Sequence, residues 1–146
     1  MFQGRYSHTM DGKGRVSLPI EYRNELKRRS DRPSVITNML DCLALFSRTD
    51  WEDYVGKLRD VNEFRLEGQE LQRFVISGAS DVSPDSQGRI QIPQYLREHA
   101  HLEKDLIIAG VGQRIEIWDK ARFEQELVRT RAQFREISTE VSKIGN

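Results

Sequence analysis

One segment of this chain occurs twice. Asp11-Gly12-Lys13-Gly14-Arg15-Val16-Ser17-Leu18-Pro19 returns as Asp85-Ser86-Gln87-Gly88-Arg89-Ile90-Gln91-Ile92-Pro93. Asp, Gly, Arg and Pro are identical and the two apolar positions are conservative swaps, where background composition would give about one identity. Arg23 and Arg97 continue the alignment. After a two-residue length difference it resumes, Val35-Ile36 with Ile107-Ile108, Leu43 and Leu45 with Ile115 and Ile117, Phe46 with Trp118, Trp51 with Phe123. A duplicated module of about 45 residues explains this register, since self-similarity at a fixed period marks repeat architecture. The predicted organisation is module one over 5–50, a helical bridge over 51–78, module two over 79–122, and a C-terminal helix over 123–146.

Each module reads as strand-rich. Arg15-Val16-Ser17-Leu18 and Arg89-Ile90-Gln91-Ile92 alternate polar and apolar with β-branched residues, the pattern of a strand with one buried face. The Asp-x-x-Gly ahead of each strand is loop chemistry. Asp11 and Asp85 can accept hydrogen bonds from their own loops, and Gly14 and Gly88 tolerate positive φ. Pro19 and Pro93 end the strands and suit the start of a helical turn. Residues 35–37, 43–46, 106–109 and 114–118 read as two further strands per module, and Ser47 and Asp119 as N-caps of a following helix. The predicted class is therefore α+β, mainly β.

The final helix carries Phe123, Leu127, Thr130, Phe134, Ile137, Val141 and Ile144 at spacings of four and three. Such a heptad seam must pack on something. Two partners fit: the same chain, where Trp51, Val55 and Leu58 lie on an equivalent face, or a second subunit through Phe134, Ile137 and Val141.

Composition narrows the function. With 37% hydrophobic and 32% charged residues, the chain can bury a core. No apolar run approaches the roughly 18 residues of a membrane span, nor does the N-terminus show a signal-peptide core, so a cytoplasmic protein is expected. Cys42, the single cysteine, lies beside Leu43 and reads as a buried structural thiol. Net charge is zero but segregated: residues 1–32 hold eight Lys/Arg against four acids, residues 33–82 five against nine. A basic N-terminal region keeps nucleic acid open as a partner.

Catalytic constellations are missing from the sequence. His99-x-His101 has no Cys or acidic partner at zinc-site spacing. Gly110-x-Gly112 lacks the third glycine of a dinucleotide fingerprint, and Gly12-Lys13 lacks the rest of a phosphate loop. Glu52 and Asp53 are adjacent on a helix and diverge. The chain is expected to be no enzyme and to have no cofactor, metal or small-molecule substrate.

With its twofold Asp-x-x-x-Arg motif, each copy running into a strand and then proline, and its opening Met1-Phe2-x-Gly4, the chain resembles the MraZ family of bacterial transcriptional regulators over nearly its whole length. The resemblance implies two tandem SpoVT/AbrB-type modules forming a swapped-hairpin, double-split β-barrel with flanking helices. It also implies ring-like homo-oligomers, nucleoid association, and binding to short direct repeats of double-stranded promoter DNA upstream of a division and cell-wall gene cluster. By that resemblance Arg15 and Arg89 face DNA, Lys13 is a basic loop residue, and Asp11 and Asp85 shape the loops or pair with the arginines. Arg5, Lys13, Arg23 and the Lys27-Arg28-Arg29 run could add phosphate contacts. Since Ser86-Gln87 replaces Gly12-Lys13, the first module is expected to contact DNA more strongly. The rival expectation is an antitoxin-like interaction module that captures a protein through the C-terminal helix.

Overall fold

A computed structural model describes residues 1–61 and 64–145; residues 62–63 within the expected bridge and residue 146 at the end of the expected C-terminal helix lie outside the described residues. The first half contributes strands β1 (Phe2–Thr9), β2 (Arg15–Ser17), β3 (Ser34–Asn38) and β4 (Leu43–Phe46), with helices α1 (Ile20–Arg29), α2 (Arg48–Asp60) and α3 (Leu66–Ser77). The second contributes β5 (Ser80–Val82), β6 (Arg89–Gln91), β7 (Asp105–Gly112) and β8 (Arg114–Asp119), with α4 (Gln94–His99) and α5 (Lys120–Gly145). The class is α+β with antiparallel sheet.

Strand order exposes the duplication. The larger sheet runs β1-β7-β8-β4-β3-β5, and β2 pairs with β6 in a separate ribbon. Exchanging each strand for its repeat partner reverses that order onto itself, so a pseudo-twofold passes between β4 and β8 and between β2 and β6. Each half lends its first strand to the other: β1 pairs with β7 from Phe2↔Gly112 to Thr9↔Asp105, and β5 pairs with β3 from Ser34↔Val82 to Ile36↔Ser80.

The strands do not close into one barrel among the described residues. β2 and β6 are three residues each and hydrogen-bond to one another. Pro19 and Pro93 sit just beyond them as N-caps of α1 and α4. Proline offers no N–H for a ladder, so the ribbon stops there instead of merging with the larger sheet.

The core lies between the larger sheet and the ribbon with its two helices. Val16, Leu18, Ile90 and Ile92 face Ile36, Leu45, Ile108 and Ile117, all at most 2% exposed. Each such side chain contributes about 1.5–3 kcal/mol on burial. Tyr22 ties α1 to β1, its hydroxyl shared between the carbonyls of Gln3 and Gly4 while Phe2 and Tyr6 meet its ring edge-on. On the other face α2 and α3 cover β3 and β4 through Val35, Ala44, Phe46, Trp51, Leu58 and Val75. Thr37 Oγ1 donates to the Val75 carbonyl at 2.6 Å and Asn38 Nδ2 to the Phe74 carbonyl at 2.9 Å, satisfying the end of α3.

Both N-caps form. Ser47 Oγ accepts from Asp50 N and Asp119 Oδ2 from Arg122 N. Cys42 is buried, and desolvation pushes its thiol pKa up.

Among the described residues, no side chain of the C-terminal seam joins the apolar cluster around Trp51 and Leu58. α3 takes the place beside α2, and Trp51 and Leu58 turn toward it and the sheet. The 26-residue α5, about 39 Å long, leaves the sheet after its first turns. Residues 131–144 are all exposed, Phe134 at 64% and Val141 at 61%.

Candidate nucleic-acid interface

The motif loops flank the β2–β6 ribbon. In the first, Asp11 Oδ1 accepts from the backbone N–H groups of Lys13 and Arg15, both at 2.9 Å, and Oδ2 from Arg15 Nε at 2.7 Å. The Gly14 N–H closes the turn on the Asp11 carbonyl at 3.0 Å, with φ at 80°. The second loop repeats this: Asp85 Oδ1 accepts from Gln87 N and Arg89 N at 2.8 and 3.0 Å, Oδ2 from Arg89 Nε at 3.0 Å, and Gly88 has φ of 77°. Left-handed φ is where glycine carries no Cβ penalty.

These bonds set the electrostatics. The Arg15 backbone N–H, then the Arg15 side chain and Lys13 N–H, hold the Asp11 carboxyl at about 2 against partial desolvation. Asp85 is lowered in the same way, first by the Arg89 N–H. Both loops are therefore carboxylate-locked at neutral pH.

The register Arg15↔Gln91, Val16↔Ile90, Ser17↔Arg89 decides which way the cations point. Val16 and Ile90 enter the core, so Arg15, Ser17, Arg89 and Gln91 occupy the outer face, with the arginines on one diagonal. Each guanidinium is held at Nε by its aspartate, and among the described residues makes no further hydrogen bond. Its terminal nitrogens remain as donors on a side chain about a third exposed, 33% for Arg15 and 29% for Arg89. Exposed Lys13 adds a third cation, its carbonyl accepting from Gln91 Nε2 at 3.1 Å.

The halves brace each other's loops. Leu18 N donates to the Gly88 carbonyl at 3.1 Å and Ile92 N to the Gly14 carbonyl at 2.8 Å. A Cβ at Gly88 would lie 2.4 Å from Arg23 Nη1, and one at Gly14 2.6 Å from Arg97 Nε. Thus Arg23, read from sequence as a phosphate contact, lies against the opposite loop while its Nε donates to the Leu18 carbonyl at 3.2 Å. Arg97 takes the equivalent place, a role that its alignment with Arg23 could have suggested.

Arg5 is placed elsewhere. It lies on β1 with its guanidinium 5.4 Å from the Phe123 ring centroid, on the α5 side of the sheet. The structure does not bring it to the ribbon. In the 27–29 run, Arg28 pairs with Glu25, and Arg29 bonds Glu25, Asp50 and Gln113 beside the Phe2 ring. Exposed Lys27 forms no ion pair among the described residues.

His99 Nε2 lies 2.6 Å from the Met39 carbonyl and its ring meets Phe74, a packing role. No group of His, Cys, Asp and Glu among the described residues could hold a metal ion, and no helix is long and apolar enough to cross a membrane.

The fold and this face define a duplicated α+β protein whose two copies jointly present one cation-bearing β-ribbon. The family model described as "MraZ protein, putative antitoxin-like" matches the chain twice, over residues 1–74 and 75–143. The chain is 40% identical over 146 residues to "Transcriptional regulator MraZ" of Alkaliphilus oremlandii, covering 99% of each. It is 39% identical over 146 residues to the protein of the same name from Thermoanaerobacter pseudethanolicus, again covering 99% of each, and 42% over 125 residues to that of Acetivibrio thermocellus, covering 85% of each. The chain belongs to the MraZ family.

Proposed function

We propose that this protein is a cytoplasmic, nucleoid-associated transcriptional regulator that reads double-stranded DNA with the outer face of the β2–β6 ribbon. The observation that carries the reading is the diagonal pair Arg15 and Arg89, each fixed at Nε by its own loop aspartate on a shared outer face of the ribbon. A two-stranded ribbon fits the major groove, and an arginine whose terminal nitrogens point outward can bond guanine O6 and N7 together. Locking the guanidinium beforehand lowers the entropy lost on binding. Lys13 supplies a phosphate contact beside the first arginine.

One ribbon covers few base pairs, whereas operator specificity is typically 10³–10⁷ over random DNA. Linking several subunits on short direct repeats supplies the rest. The exposed α5 seam supports such a homo-oligomer, a ring on repeats upstream of the protein's own division and cell-wall gene cluster. The same seam and the antitoxin-like family description favour a second reading, capture of a protein partner through Phe134, Ile137 and Val141. Neither reading uses a catalytic or cofactor site.

Fluorescence anisotropy at about 150 mM salt separates them, using the native upstream fragment and a scrambled duplex. The proposal expects preference for the native fragment, reduced about 10- to 100-fold by Arg15→Ala and also reduced by Arg89→Ala. Phe134→Asp should lower the sedimentation mass and, through lost avidity, the affinity for repeated sites. Equal weak binding to both duplexes, indifferent to either arginine, overturns it in favour of partner capture.

A further inference from the structure

A groove of about 460 Å³ runs beside the second loop, between α1 and the segment 82–88. Arg23, Lys27 and Arg32 line it together with Asp31, Pro84 and Asp85. Asp85 is matched by Arg89, and Arg32 by Glu52 at 2.9 Å. Arg23 is braced on Leu18, and exposed Lys27 stands without an ion pair among the described residues. The pseudo-twofold supplies an internal control: the groove flanking α4, about 450 Å³, is lined by Arg97 and His101 against Glu98 and Glu103. With histidine neutral, the first groove carries one net positive charge and the second one net negative.

We infer that the α1 groove is a phosphate-backbone site serving the second loop, with Lys27 as its contacting cation. This rests on the reading that the ribbon enters duplex DNA. The second loop has Gln87 where the first has Lys13, so it lacks a cation of its own to fix its register on the backbone. α1, which braces that loop through Arg23 over Gly88, places Lys27 on the same groove wall. Phosphates on either side of a ribbon in the major groove lie at its flanks, where such contacts position the protein without reading sequence. The first loop meets the phosphates through Lys13, the second through a helix borrowed from the other half.

Salt titration of DNA binding by the full-length protein tests this, because each phosphate contact adds about 0.9 to the slope of log K against log salt. Lys27→Gln should lower affinity for native and scrambled duplexes alike, by about fivefold per engaged subunit near 0.15 M salt, and flatten the slope by about 0.9. Glu98→Lys should steepen it by a similar amount. Lys27 and Glu98 are both exposed, so both variants should melt like wild type. An unchanged slope in Lys27→Gln, or a loss confined to the native duplex, overturns the inference even where Arg15→Ala abolishes recognition. Intact recognition in Arg15→Ala overturns the DNA reading itself, and the inference with it.

Discussion

The two modules build the same ribbon face but cover their outer faces differently. In the first, α2 and α3 close over β3 and β4, and Asn38 holds the end of α3. At the equivalent position the second has Gly110, where β1 passes so closely that a Cβ would lie 2.3 Å from Gln3 N. One half thus uses the position to dock a helix, the other to admit a borrowed strand. What both copies share, Asp–Arg lock, positive-φ glycine and a bracing arginine, is what the ribbon requires. What differs assigns each half a separate task.

The largest effect should come from attacking that difference. Gly110→Leu would push β1 off β7 and is expected to cost about 3 kcal/mol, the upper end for overpacking, measured by urea denaturation. Wild-type stability would mean that β1 is not held as described. A smaller effect should follow from making the loops alike. Gln87→Lys should raise affinity for native and scrambled duplexes alike by a few-fold, roughly the gain of one released counterion, and Lys13→Gln should lower it comparably. If Gln87→Lys changes nothing, the second loop does not approach phosphate.

The smallest effect concerns pH. Asp11 titrates at about 2 when folded, below the usual 3.9 of an unfolded aspartate. A depressed carboxylate pKa stabilises above the unfolded value, and that contribution is lost as pH falls through the folded one. The first loop should therefore stay locked at neutral pH and release its arginine between about pH 4 and pH 2. Carboxyl ¹³C NMR should show Asp11 and Asp85 both titrating below an ordinary aspartate. A normal value for either would deny that loop its lock.

The repeat, the motif strands and the Asp-x-x-Gly loops were legible because each rests on local chemistry written twice. β1 was not: Gly4 interrupts it, five of its eight residues are exposed, and its partner lies about a hundred residues away in sequence. Strand exchange is invisible to periodicity for the same reason. A heptad in α5 announces an apolar stripe without saying what covers it. Arg23 shows the limit of reading charge alone, since only the folded chain sets its guanidinium against Gly88.

The most direct test of the central claim replaces single guanines in the operator repeats with 7-deazaguanine, which keeps base pairing but removes the major-groove N7 acceptor. At the guanine read by Arg15, wild-type affinity should fall about tenfold, and Arg15→Ala should be indifferent to the change. If wild type prefers the native operator yet tolerates deazaguanine at every position, the ribbon arginines do not read guanine in the major groove.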